Sequence, residues 1–62
     1  MKLRAAREAS GKTQAQAAKE ARVAERLYQD YEYDKCEPGV RTAIRIARAL
    51  NSTVEALFEN VI

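Results

Sequence analysis

The sequence predicts an all-α fold: a compact bundle of five short helices in a single domain over residues 1–62. Three observations predict it. Ala occurs twelve times and β-branched residues are few, which is helical composition. No stretch alternates apolar and polar residues for long enough to make a strand. The only strong breakers, Gly11, Pro38 and Gly39, leave segments of helical length between them.

The elements follow in order. Residues 2–9 read as a first helix. Leu3 and Ala6, with Ala5 or Ala9, form its apolar stripe. Ser10 and Gly11 stop it, because Gly tolerates the left-handed conformation that ends helices. Thr13 is a good N-cap for a second helix at about 14–21, its hydroxyl accepting a free backbone N–H. Ala17, Ala18 and Ala21 face inward there. A tight turn at 21–23 leads into a third helix at about 24–33. Tyr28 and Tyr31 lie three apart and share its core face. Glu25, Arg26, Gln29, Asp30 and Tyr33 are left outside. Residues 34–39 are a loop. A fourth helix covers about 40–50, with Ala43, Ile44, Ala47 and Leu50 inward and Arg41, Arg45 and Arg48 as an outward basic row. Asn51 ends it. Ser52 or Thr53 caps a fifth helix reaching about 59, with Val54, Leu57 and Phe58 on one side.

Size and composition exclude much. A chain of 62 residues buries only about 60% of its unfolded surface and has no substrate cleft to spare. It has no His, no Trp and one Cys, which rules out a Cys/His metal cluster and an intrachain disulfide. The acids do not cluster with ligand spacing. No cofactor, no metal and no enzymatic activity are therefore expected. Glu25, Gln29 and Asp30 are not an acid–base site, because nothing encloses them. Cys36 has no base beside it and reads as an incidental loop residue. A lone Cys fits a reducing compartment. No apolar run approaches the roughly 20 residues of a membrane span, and the N-terminus lacks a signal-peptide core. Cytoplasmic location is the expectation.

Net charge is +2 but unevenly spread: residues 1–22 carry +4, residues 23–40 carry −3 and residues 41–62 carry +1. An uneven field of this kind suggests an oriented partner or an ordinary solvated surface.

Thr13-Gln14, Ala18, Val23, Tyr28, Tyr31-Glu32, Pro38, Ile46-Ala47-x-Ala49-Leu50 and Leu57-Phe58 fall at fixed spacings. This pattern resembles the Cro/phage-repressor-type helix-turn-helix, the Xre family, over about residues 3–58. The resemblance implies a lambda-repressor-like fold with the helix-turn-helix at about 14–33. It implies a sequence-specific DNA-binding transcriptional regulator, a repressor or Cro-like protein of phage, plasmid or bacterial origin. The third helix would enter the major groove and the second would cross the backbone. Carried over by position, Glu25, Arg26, Gln29 and Asp30 become base-reading. Arg26 suits guanine, Gln29 adenine, and Glu25 or Asp30 the amino group of cytosine. Gln14, Arg22, Tyr33, Lys35 and Arg41 become phosphate contacts. Arg7 and Glu32 match a family pair that forms a partly buried salt bridge between the first and third helices. No small-molecule substrate is implied.

The chain departs from the family pattern at several positions. Arg22 stands where the turn Gly is usual. Ala6, Ala17 and Ala21 replace larger apolar residues, and Tyr28 replaces Ile; the expectation is that Tyr28 fills the space the alanines vacate. Ala24 opens the third helix in place of Ser or Thr. Glu25 and Asp30 put acids on the outward face, where Arg26 and Asp30 at i, i+4 can also pair with each other. A second reading therefore stays open: an antitoxin-like or anti-repressor-like protein-interaction module using the acidic face. Leu57, Phe58, Val61 and Ile62 exceed what so short a helix buries in its own domain, which points to a two-fold homodimer through residues 53–62. The alternative is that this tail packs back on the first helix.

Overall fold

A computed structural model describes residues 2–58. They form five helices: α1 (Leu3–Ala9), α2 (Gln14–Ala21), α3 (Glu25–Glu32), α4 (Val40–Ala49) and α5 (Val54–Phe58). Among the described residues there is no strand. α2 is the central element, packing on α4 and on α3. α1 touches α3 and α5, and α5 also rests on α4.

Helix starts follow local chemistry. Thr13 caps α2 in a reciprocal box: its Oγ1 accepts from the Gln16 amide at 3.1 Å, while Gln16 Oε1 accepts from the Thr13 amide at 2.9 Å. Thr53 rather than Ser52 caps α5, accepting from the Ala56 amide at 3.0 Å. Ala24 offers α3 no side-chain cap. Glu25 stands in that first turn, where a negative charge favours the N-terminal end of the helix dipole.

Helix ends share one device. After α1, α2, α3 and α4 the chain passes through a left-handed residue: Gly11 (φ 71°), Arg22 (φ 58°), Asp34 (φ 59°) and Asn51 (φ 53°). In each case that residue's amide returns to the carbonyl three positions back, and the next amide to the carbonyl five back. For α2 these bonds are Arg22 N–H to Lys19 O at 3.1 Å and Val23 N–H to Ala18 O at 2.9 Å. This closure satisfies carbonyls that a helix end would otherwise leave open. Asp and Asn tolerate the conformation better than most residues, whereas Arg carries the steric cost of its Cβ. Arg22→Gly is expected to raise stability by about 1 kcal/mol, seen as a higher midpoint in urea unfolding. An unchanged midpoint would mean that the turn holds no strain.

The core gathers Leu3, Tyr28, Ile46 and Leu57, its largest fully buried side chains, around the small faces of Ala17, Ala18 and Ala21. Three expectations are corrected. In α4, Ile46 is buried while Ile44 is 39% exposed. The stripe runs 43, 46, 47, 50, at helical spacing, and Ile44 falls beside it. In α1, Ala5 and Ala9 are exposed, so the stripe is Leu3 with a half-buried Ala6. Arg45 is not part of an outward row. It is half-buried, and its Nε donates to the Ala21 carbonyl at 2.9 Å, placing a cation at the negative end of α2.

The turn after α1 is tied to the end of α4. Ser10 Oγ donates to the Leu50 carbonyl at 3.2 Å. Lys12 Nζ donates to Glu20 Oε1 at 2.5 Å and to the Ala49 carbonyl. These bonds set the height of the α2 N-terminus against the bundle.

Candidate nucleic-acid interface

α3 is held from behind and open in front. Behind it, Arg7 Nε lies 2.7 Å from Glu32 Oε2. The Glu32 side chain is wholly buried and that of Arg7 is 13% exposed. Arg7 Nη1 also donates to the Lys12 carbonyl at 2.8 Å, so one guanidinium joins α1, the following turn and α3. Burial pushes the Glu32 carboxyl up. Hydrogen bonds from Arg7 and Gln14, the nearby Tyr28 hydroxyl and the Arg7 charge outweigh it, and the net shift is below the ordinary carboxylate value. The Tyr28 hydroxyl is buried without a hydrogen bond of acceptable geometry. Burial first, then the negative Glu32 beside it, push that phenol well above its ordinary range.

In front, Glu25, Arg26, Gln29, Asp30, Tyr33 and Lys35 line one open concavity of about 430 Å³. Helical periodicity accounts for this. With Tyr28 and Tyr31 turned into the core, the residues at 25, 26, 29, 30 and 33 are carried round to the solvent side. The left-handed Asp34 then folds Lys35 back beside them. Two cations and two carboxylates make the concavity charge-balanced. Arg26 and Asp30 form no ion pair. The observed i, i+4 contact is instead Gln29 Nε2 donating to Glu25 Oε2 at 3.4 Å.

The other named residues fall around this face or away from it. Gln14, at the first turn of α2, donates its amide to Glu32 Oε1 at 3.1 Å and reaches Tyr33 Oη at 3.5 Å. It is thus anchored across the α2–α3 gap, a link with no signature in the sequence. Arg22 is exposed at the turn and Arg41 is exposed in the first turn of α4; neither lines the concavity. Leu57 is corrected as a dimer contact: it is 1% exposed inside the core, because α5 packs on α1 and α4. Phe58 is half-buried against the same cluster. Val61 and Ile62 lie outside the described residues. Cys36 is exposed and free.

Among the described residues no group of His, Cys, Asp or Glu could hold a metal ion, and no helix is long and apolar enough to cross a membrane. A helix-turn-helix family model matches residues 3–57. No curated protein and no solved structure matches the chain. That match runs from the start of α1 into α5, and the family it describes is regulatory rather than enzymatic. The chain therefore belongs to the Cro/phage-repressor-type, Xre-like helix-turn-helix family of DNA-binding regulators.

Proposed function

We propose that this regulator is a repressor that binds a palindromic operator as a homodimer, with α3 in the major groove. Glu25, Arg26, Gln29 and Asp30 face the base edges. Gln14, Arg22, Tyr33, Lys35 and Arg41 face phosphates and fix the register. The observation that carries the reading is the concavity along the free face of α3, with Gln14 of the capped α2 N-terminus reaching Tyr33 at its edge. Free amides at such a terminus suit a phosphate oxygen. With Leu57 in the core, the dimer contact rests on Phe58, Val61 and Ile62. A two-fold pair would set two α3 helices about one DNA turn, ~34 Å, apart. The protein would work in the cytoplasm of a bacterium, encoded there or by a phage.

A second reading is favoured by the carboxylates of Glu25 and Asp30: the same face could meet a basic protein surface, in the manner of an antitoxin or anti-repressor. Salt dependence separates the two. A DNA regulator should bind random duplex at low salt and lose affinity steeply toward physiological salt, as counterions are released. Absence of binding at low salt would favour the protein partner. Arg26→Ala is expected to relax preference at one base pair by about 1–3 kcal/mol. Gln14→Ala should weaken all duplexes alike. Uniform weakening by both variants in binding titrations would remove Arg26 from the base-reading set.

A further inference from the structure

The free face of α3 is rich in acceptors. Gln29 donates one amide N–H to Glu25 at 3.4 Å, and the carboxylates of Glu25 and Asp30 both line the concavity. Arg26 is the one guanidinium in the concavity. In the major groove, guanine offers two acceptors to a guanidinium, and cytosine offers a single amino donor. Arg26 and Asp30 lie one helical turn apart on one face, about 6 Å along the axis at 1.5 Å per residue. Base pairs stack at about 3.4 Å. Their backbone positions are therefore separated by about two base-pair steps along the helix axis.

We propose that this face selects two G·C base pairs about two steps apart, Arg26 on the guanine edge of one and Asp30 on the cytosine amino group of the other. The inference rests on the DNA-binding reading above and specifies its target. It also gives the acid a role. Where no cytosine amino group meets it, the Asp30 carboxylate is desolvated without a partner near phosphates, so other duplexes are penalised. The acids thereby trade general affinity for discrimination.

The test is selection of duplexes from a random pool by the full chain and by Asp30→Asn, with binding to unselected duplex at low salt measured in parallel. Asp30 is half-exposed, and circular dichroism checks that the variant folds. The parent should enrich duplexes with two G·C pairs at that spacing in each half-site. Asp30→Asn should lose about tenfold or more of the cytosine preference and shift it toward adenine, which an amide pairs with. It should also bind unselected duplex more tightly. Enriched duplexes without the two G·C pairs, or an unchanged preference in Asp30→Asn, would overturn this inference while leaving DNA binding intact. If neither protein bound any duplex at low salt, the DNA-binding reading and this inference would fall together.

Discussion

Arg7→Met is expected to leave most of the protein unfolded at temperatures where the parent is folded. Its partner, the Glu32 carboxylate, has no solvent-accessible side-chain surface and sits 2.7 Å from the guanidinium. Removing the cation strands a buried charge, which costs about 3–5 kcal/mol. The same substitution removes the bond to the Lys12 carbonyl, so α1 and the following turn lose their tie to α3. A domain this small stands near the lower end of the ~5–15 kcal/mol range of native stabilities. The loss is therefore comparable to the whole. Gln14 still donates to Glu32 and offsets a part of it. Thermal and urea unfolding measure the effect directly, and a midpoint equal to the parent's would show that the pair contributes nothing.

The same pair sets the acid limit of the fold. The Glu32 carboxyl is held below its ordinary value in the folded state. Its contribution is therefore present above the unfolded carboxylate value. It is lost as pH falls through the depressed folded value, because the unfolded chain takes up the proton first. Unfolding midpoints of the parent should drop across that acidic window. Those of Glu32→Gln, lower to begin with, should show a shallower drop there. Parallel curves would assign acid unfolding to other carboxyls.

Tyr28→Ile carries the second large effect. Tyr28 is fully buried, as are Ala17 and Ala21, and all three belong to one core cluster. Two of the residues that share the core with the Tyr28 ring are alanines, so the ring supplies much of the volume there. Restoring Ile alone leaves the alanines facing empty space, with an expected loss of about 2–5 kcal/mol from transfer and cavity terms. Tyr28→Phe separates volume from polarity. It keeps the ring and deletes a hydroxyl that is buried without a well-formed hydrogen bond. Its stability should lie close to the parent's, because losing a poorly bonded buried hydroxyl is offset by losing its support for the Glu32 charge. A neutral Tyr28→Ile, measured in urea with an unchanged slope, would show that the alanines are compensated elsewhere.

Other parts of the structure were visible from local sequence. The left-handed stops at Gly11 and Asn51 and the Thr13 cap depend on neighbours within four residues, and each could be placed without knowing the fold. The solvent side of α3 was legible for the same reason. Once Tyr28 and Tyr31 are buried, helical geometry alone assigns Glu25, Arg26, Gln29, Asp30 and Tyr33 to the other side. Asp34 carries no sign of its left-handed conformation in the sequence, because an acid before a loop is not distinctive. Only the family resemblance links Arg7 to Glu32, for nothing local joins residues 25 positions apart.

What the sequence determined by itself is the set of helices, the Thr13 cap, the residues that share the outer face of α3, and membership of the helix-turn-helix family. Tertiary structure alone decided where the long polar side chains go. Arg45 reaches the end of α2, Lys12 the end of α4, and Gln14 the Glu32 carboxylate. It also decided that Ile46 and Leu57 are interior while Ile44 is not. The physical reason is common to these cases. Backbone preferences and periodicity act within a turn or two of the chain. A flexible cation or amide instead finds whichever carbonyl or carboxylate packing brings within reach, and a borderline apolar position is settled by the neighbouring helix that covers it.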